Sequence, residues 1–524
     1  MRRKLRQGLL KQVVTVILKK EKAPTEVTKN KRHLTHILIL LSIALGIGVY
    51  LIITTVLIAK DGVFYIEQAQ RFSSDPVGVI KGHPFGYPFL IFAAHKFACF
   101  FGKGSSVYSW IYSAQSANLL CRILALIPLY FIGKTLVGGR NSFWSLLILI
   151  FLPYPAEFGS DALRDWPYIF FLAGGFWAIL KGAKDRCWWI FGLAGTSAGL
   201  GYMIRPECAQ LIVYGIMWLT YCFLRATKTF SRSRIMLATV LLISGFLIPA
   251  GPYTIVKGRV LPEKLLGVIR AFSSNAGIDE ATTTNVHNDK MPAQYATITD
   301  NRVLEAAGNL VEKGGANLMW FFAAPLLVGI YHHFRKVATF EEKFLITTLI
   351  VLNISFLFLR YCWVSPDLTH RYILPLTVLT VFYIPTGLNL FSSWIVKTAA
   401  IQPGKTQKVF YTLLIIGICV CLPKLLRPIR IDKQGYLLAA NWMRVNTSRE
   451  DIIAVPDSRL YFYAERPGVI YDGGKTAENA KYLVKIMNNG DEQPEFGTAA
   501  EKVYSVWVDK CKKSKKLVIY RMMQ

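Results

Sequence analysis

Asp61 is the second residue of the stretch KDGVFYIEQAQ (60–70), which directly follows the apolar run LTHILILLSIALGIGVYLIITTVLIA. A carboxylate at the mouth of such a run has two chemical uses. It can cap a helix beginning at Gly62 by accepting bonds from orphan backbone N–H groups. It can also act as a base at the membrane boundary, where ionisable groups are costly and mark functional sites. The two uses are compatible, because a capped carboxylate is a fixed one.

Three further groups could serve the same chemistry. In HPFGYP (83–88) two prolines and a glycine force a turn, placing His83 and Tyr87 near the membrane surface beside Lys81. His83 and Lys81 suit an anionic headgroup, and the plainer reading is an interfacial turn with a snorkelling lysine and aromatic anchors. EFGSDALRDWPYIFF (157–171) holds Glu157, Asp161, Arg164 and Asp165 at the entry to another apolar run. Asp161 and Asp165 are spaced to share one helix face, as substrate and catalytic acids or as an Asp–Arg network closing a helix end. GYMIRPE (201–207) and THRYILPL (369–376) each set an arginine, Arg205 and Arg371, at a boundary. A planar guanidinium that keeps its charge fits phosphate, although a lone arginine there is usually a headgroup anchor. Converging acids, arginines and a histidine would supply a base for an acceptor and cations for a departing phosphate.

Other chemistries lack their residues. There is no phosphate-binding glycine loop and no HExxH. The nine cysteines form no CxxC pair, so neither a structural zinc site nor redox chemistry can be read, and the C-terminal polar region holds only Cys511. Metal participation stays open, with a divalent ion as the one cofactor expectation.

The elements that must position these residues are membrane helices. The chain has 524 residues, 53% of them hydrophobic, and repeatedly runs 17 or more residues long enough to cross a hydrocarbon core about 30 Å thick. Eleven spans are expected, at 36–58, 108–132, 142–157, 163–180, 187–203, 207–224, 236–254, 316–333, 344–360, 372–391 and 409–425. A net charge of +29 would suggest nucleic acid in a soluble protein. Here the basic residues crowd the N-terminal tail 1–35, with eleven Lys/Arg against two Glu up to His33, and alternate connections such as Lys134/Arg140 and Arg335/Lys336/Lys343. That pattern predicts a cytoplasmic N-terminus, an exported C-terminus, contact with anionic lipid and no nucleic-acid partner. The fold class is therefore mainly α and polytopic, the membrane domain running over 36–425.

Two connections facing outward exceed simple loops. Segment 59–106 reads as interfacial helices and 256–314 as a long polar loop. Residues 426–524 alternate a helical piece, LLAANWMRVNT, with short β-like runs (DIIAVPD, RPGVIYD, VYSVWVD, KKLVIYRM), which predicts a small α/β domain outside the membrane.

Taken in order, KDGVFYIEQA, HPFGYP, LRDWPY, MIRPE and RYILPL resemble the C-type glycosyltransferase superfamily, specifically its bacterial branch related to protein O-mannosyltransferases and the lipid A aminoarabinose transferase. The resemblance departs at Phe85, where a second proline stands in relatives, and at the Asp-Gly pair, where protein mannosyltransferases have Asp-Glu. It implies a sugar donor on polyprenyl phosphate, used at the outer face of the cytoplasmic membrane, with a lipid, glycan or protein acceptor. Asp61 would be the catalytic acid acting on the acceptor and Asp165 the second acid. His83, Arg205 and Arg371 would hold the donor phosphate, while Lys81, Tyr87 and Asp161 would contact substrate. The rival reading is a transporter or flippase of lipid-linked sugars. It predicts internal repeats and charges near the membrane midplane, whereas the sequence shows no repeat and gathers its acids at one boundary.

Overall fold

The protein is described by a computed structural model over residues 26–102, 104, 106–225, 231–258, 300–364, 367–400, 402–471, 479–489, 500–509 and 511–523. The basic tail up to residue 25 and most of the expected polar loop, 259–299, lie outside the described residues.

The described residues begin with α1 (Glu26–Thr54), then three short helices outside the main bundle, α2 (Lys60–Arg71), α3 (Pro76–Gly82) and α4 (Gly86–Phe100). The bundle continues with α5 (Val107–Val137), α6 (Gly139–Phe151), α7 (Pro153–Phe158), α8 (Asp165–Asp185), α9 (Ile190–Tyr202), α10 (Gln210–Leu224) and α11 (Arg232–Lys257). It closes with α12 (Asp300–Asn317), α13 (Ala323–Lys336), α14 (Phe340–Leu359), α15 (His370–Thr380), α16 (Ile384–Thr398) and α17 (Thr406–Leu425). Among the described residues seven helical segments are long and apolar enough to cross a membrane. Leucines, isoleucines and valines stay exposed along α1, α11 and α17, among them Ile53, Ile248 and Ile415. An apolar helix face left open is a lipid-facing one, and helices satisfy their own backbone there. The protein is a multi-pass membrane protein.

All eleven expected spans overlap helices. Among the described residues seven of them coincide with segments long and apolar enough to cross a membrane, and 142–157, 163–180, 187–203 and 316–333 do not. Three of the eleven are broken internally. Segment 142–157 is two helices, because Leu152 turns extended before Pro153 and a residue preceding proline is pushed out of the helical region. Segment 316–333 also divides: α12 ends at Asn317, and Met319 and Trp320 adopt positive φ before α13 starts. Segment 372–391 is interrupted by a 3₁₀ turn at Val381–Tyr383, ahead of Pro385 in the first turn of α16. The thirteen residues of α6 or α9 reach only about 20 Å, so each needs its neighbours to complete a crossing.

Segment 59–106 forms the three helices α2, α3 and α4. Helix α2 buries Val63, Tyr65, Ile66 and Ala69 on one side and leaves Lys60, Asp61, Gln70 and Arg71 exposed on the other. The C-terminal region is a five-stranded sheet with two helices, α18 (Gln434–Asn446) and α19 (Ser458–Ala464). Strands β1 (Ile453–Val455), β2 (Gly468–Ile470), β3 (Tyr482–Asn488), β4 (Ala500–Trp507) and β5 (Lys515–Met522) lie in the order β2-β1-β3-β5-β4. β1 is parallel to β2 and β3, while β5 is antiparallel to both β3 and β4. Four strands coincide with the β-like runs; β3 was not foreseen. One hydrophobic core joins this region to the bundle, from Leu57, Ile58 and Ala162 through Tyr463 to Met443 and Ile519.

Candidate active site

The site forms where α1 ends and α2 begins. After Thr54 the chain leaves the helix, and residues 57–59 are buried between the bundle and the C-terminal region. The Ile58 N–H donates to the Tyr463 hydroxyl at 3.1 Å, and the Arg430 guanidinium donates to the Leu57 carbonyl at 3.1 Å. The Ala59 N–H donates to Asp161 Oδ1 at 3.1 Å. Helix α2 then starts at Lys60 with Asp61 in its first turn and no side-chain cap on its own N-terminus. The capping reading of Asp61 is thereby corrected: the buried Asp161 carboxylate takes the Ala59 N–H, and Asp61 is left free to point elsewhere.

Asp61 meets an arginine. Arg371 Nη1 donates to Asp61 Oδ2 at 2.7 Å, and Nε of the same guanidinium donates to Asp165 Oδ2 at 2.9 Å. Asp165 Oδ1 in turn accepts from Arg205 Nη1 at 2.7 Å, and Arg205 Nη2 lies 3.5 Å from Glu207 Oε1. Four residues distant in sequence thus form one alternating chain, Asp61–Arg371–Asp165–Arg205. It runs from the surface inward: the side chains are 53%, 23%, 1% and 7% exposed in that order. Burial alone would raise the Asp61 pKa. The Arg371 charge and hydrogen bond, with Arg164 and Lys60 behind them, outweigh it and hold the carboxyl below its ordinary value. Burial likewise opposes the charge on Arg205, but Glu207 and Asp165 more than offset it and raise its pKa.

Close packing explains the sequence around the acids. A Cβ on Gly62 would stand 2.8 Å from Ala162 Cβ and 2.9 Å from its carbonyl oxygen. Glycine at this position is what lets α2 lie directly on the turn ahead of α8, bringing Asp61 within reach of Arg371. Gly86 plays the same part for the 83–88 turn. Its N–H donates to Met203 O at 2.9 Å, and a Cβ would meet Ile204 at 2.6 Å. That contact ties the turn to the segment carrying Arg205.

The other expected residues separate into those near the chain and those behind it. His83 is exposed and sets its ring edge on Phe64 of α2, centroids 4.8 Å apart. Lys81 is exposed in the last turn of α3. Tyr87 corrects the expectation of a surface tyrosine. As the second residue of α4 it points into the bundle, is fully buried, donates to Ala114 O at 3.0 Å and meets Tyr65 edge-on. Asp161 corrects the expectation of a helix face shared with Asp165, because helix α8 begins only at Asp165. It is fully buried, pairs with Arg430 Nη1 at 2.6 Å and accepts from the Ala162 N–H at 2.7 Å. Both residues support the site from behind, without reaching its surface.

Sequence reading gave other members no role in the site. Arg164 lies over the Tyr65 ring at 5.5 Å and donates to the Ile204 carbonyl at 3.2 Å, so a ring face and a carbonyl hold it, with its charge directed toward Asp61. The Arg205 guanidinium is flanked by the Tyr168 and Tyr372 rings at 5.2 and 5.6 Å. From the C-terminal region, Arg459 grips Asp457 at 2.6 and 2.9 Å, and Tyr461 donates to Glu67 on α2 at 3.0 Å. Arg164 and Glu207 stand inside the motifs that carried the resemblance. The C-terminal contacts left no signal in local spacing.

A divalent metal finds no ready donor set. Among the described residues no three of His, Cys, Asp and Glu converge, and both Asp165 oxygens already accept from guanidinium groups.

Comparison with known proteins follows this geometry. Residues 83–251 match the family described as dolichyl-phosphate-mannose-protein mannosyltransferase. No curated protein sequence matches the chain. Among solved structures, ArnT from Cupriavidus metallidurans bound to undecaprenyl phosphate is 12% identical with a TM-score of 0.58, over 92% of this chain and 97% of that one. The oligosaccharyltransferase of Archaeoglobus fulgidus in its apo form is 12% identical with a TM-score of 0.55, over 86% of this chain and 69% of that one. The same archaeal enzyme, AglB, in complex with an inhibitory peptide and a dolichol-phosphate gives 12% and 0.54, over 87% and 69%. The chain therefore has the membrane fold of the C-type glycosyltransferase superfamily. Within that class, the matched family model covers the stretch from the His83 turn through Arg205 to α11.

Proposed function

We propose that the protein is a membrane glycosyltransferase that moves a sugar from a polyprenyl-phosphate donor to a hydroxyl of a lipid, glycan or protein acceptor at the outer face of the cytoplasmic membrane. The observation that carries this reading is the pairing of a half-exposed carboxylate, Asp61, with a fully buried one, Asp165, through a single guanidinium. In this reading Asp61 is the base at the mouth of the site, held from within through Arg371. The family match and the polyprenyl phosphates bound to ArnT and AglB support a lipid-phosphate donor.

The transfer is a displacement at the anomeric carbon. The acceptor oxygen bonds to that carbon as its proton passes to Asp61. The bond from the carbon to the phosphate oxygen breaks, and its electron pair leaves on the polyprenyl phosphate. A carboxylate of lowered pKa is ionised at neutral pH and accepts the proton as the attacking oxygen becomes acidic. Three guanidinium groups, Arg164, Arg205 and Arg371, face three carboxylates, Asp61, Asp165 and Glu207, so the cluster is close to neutral without donor. An arriving phosphate competes with Asp61 for Arg371. Drawing Arg371 toward the phosphate frees Asp61 Oδ2 for the acceptor, so donor binding and base release are one event. Lys81, exposed beside α2, adds positive charge at the entrance, and the exposed His83 ring stands next to it.

The test is transfer by purified protein. With polyprenyl-phosphate sugar from the host membrane and a membrane acceptor fraction, polyprenyl phosphate should be released in step with labelled product. Loss of donor without a glycosylated product, or movement of intact donor across vesicles, would replace transfer with transport. An alkaline phosphatase fused after residue 524 reports the side: activity supports the outward orientation, and inactivity reverses it.

A further inference from the structure

The end of the bundle opposite the Asp61 cluster holds a cavity of about 490 Å³. Helix α1 carries Arg32 in its N-terminal part and ends at Thr54, so the two ends stand about 33 Å apart at about 1.5 Å per residue. Arg32 and His36 of α1, Arg140, Phe143 and Trp144 of α6, and Tyr411 of α17 line it.

Its chemistry is that of an anion site with an apolar wall. Among the described residues no ion pair uses Arg32 or Arg140. Arg140 instead donates to the Tyr411 hydroxyl at 3.0 Å, and no carboxylate lines the cavity. The Trp144 indole N–H is buried without an acceptor, which is uncommon for a tryptophan and leaves a donor to satisfy. Helices α6 and α17 both begin here without a side-chain cap, so the positive ends of two helix dipoles face this end of the bundle. The opposite wall is aromatic: Phe143 packs on Trp144 at 5.0 Å, and Trp144 on Tyr411 at 5.5 Å. Beside it Leu38 and Ile415 are exposed along α1 and α17. A free phosphate would use the cations and leave the apolar wall bare. A phosphate carrying acyl chains uses both.

We infer that this cavity binds the phosphate headgroup of an anionic glycerophospholipid, with Arg32 and Arg140 as its charged ligands, Trp144 as its neutral donor, and the acyl chains along α1 and α17. Basic pockets between membrane helices suit such headgroups. The site is separate from the donor site and does not depend on the activity proposed above.

Native mass spectrometry of the full chain, released from micelles doped with dioleoyl phosphatidylglycerol, tests it. The wild-type protein should retain this lipid and should not retain dioleoyl phosphatidylcholine. Arg32→Gln with Arg140→Gln removes two charge-assisted contacts and should weaken retention about 100-fold, tenfold or more for each. Trp144→Phe keeps the packing and both charges and should weaken it several-fold, which separates binding from misfolding. Thermal unfolding of both variants in phosphatidylcholine should match wild type. Equal retention of the two lipids, undiminished retention by the double variant, or displacement of the lipid by millimolar inorganic phosphate would each overturn the assignment.

Discussion

Asp61→Asn and Asp165→Asn make the same chemical change at the two ends of one guanidinium, and the structure predicts opposite penalties. Asp165 is 1% exposed and accepts from two charged donors, at 2.7 and 2.9 Å. Hydrogen bonds to charged groups contribute about 1.5–3 kcal/mol each, and unpairing a buried charge costs about 3–5 kcal/mol. An asparagine retains one acceptor oxygen, so one of the two bonds survives, and the expected loss of stability is about 3 kcal/mol. Asp61 makes one such bond with its side chain 53% exposed. Pairs so open to solvent contribute about 0–1 kcal/mol, so Asp61→Asn should fold and unfold almost as wild type does. Its effect should fall on the rate. A general base supplies about 10²–10⁴, and an amide cannot take the acceptor's proton. Thermal unfolding in detergent and transfer from polyprenyl-phosphate sugar, measured on the same preparations, give the two readouts. The reasoning predicts a stable, inactive Asp61→Asn and an unstable Asp165→Asn. Wild-type turnover by Asp61→Asn refutes the base assignment, and unchanged unfolding of Asp165→Asn refutes the buried bridge.

Four further outcomes follow from the same geometry. Arg371→Lys supplies a point charge where Nε and Nη1 now serve two carboxylates; it should lower donor-dependent transfer at least tenfold, and full activity would reduce Arg371 to an anchor. Gly62→Val drives a side chain into the Ala162 backbone; overpacking costs about 1–3 kcal/mol, and transfer should fall with little change in expression. Arg430→Gln leaves Asp161 buried without its cation and weakens the bond to Leu57 O; unfolding should be earlier by about 3–5 kcal/mol, detectable as a lower midpoint. The folded-state pKa of Asp61 lies below 3.8, so its stabilisation is present above that value and is lost as pH falls through the lower, folded one. The acidic limb of kcat/KM assigned to Asp61 should therefore sit below about pH 4, and an Asp61-dependent limb near pH 6 would contradict the Arg371 pairing.

The sequence carried the helices and the principal acids for one physical reason: both are written locally. An uncharged run of membrane length has few alternatives, and a charge at its boundary is conspicuous. Helix breaks inside 142–157 and 372–391 were also marked, by Pro153, Pro155 and Pro385, but a hydropathy reading averages over them. What could not be read is who meets whom. Asp161 and Asp165 look equivalent at a spacing of four, yet the turn before α8 sends one to Arg430 and the other to Arg371 and Arg205. Tyr87 resembles a surface anchor until the contact of Gly86 with Met203 turns it inward. Strand β3, with its buried Leu483 and Val484, runs into Asn489 and Gly490, a turn signal the reading passed over, and is defined by its pairing with β5.

The C-terminal region acquires a role from these contacts. Asp61 depends on residues 57–59 leaving α1 along one path, and that path is held by groups from outside the bundle: Tyr463 accepts the Ile58 N–H, Arg459 donates to the Ile58 carbonyl at 3.4 Å, and Arg430 donates to Leu57 O while neutralising Asp161. Arg430 takes a left-handed backbone conformation, φ 57°, to reach both. A non-glycine residue there bears a local backbone cost, persisting where the surroundings over-determine it. Here four side-chain contacts within three residues do so, and Tyr461 fixes the far side of α2 through Glu67. The C-terminal region, through its helix Ser458–Ala464 and Arg430, therefore fixes Asp61 indirectly, through the backbone that delivers it.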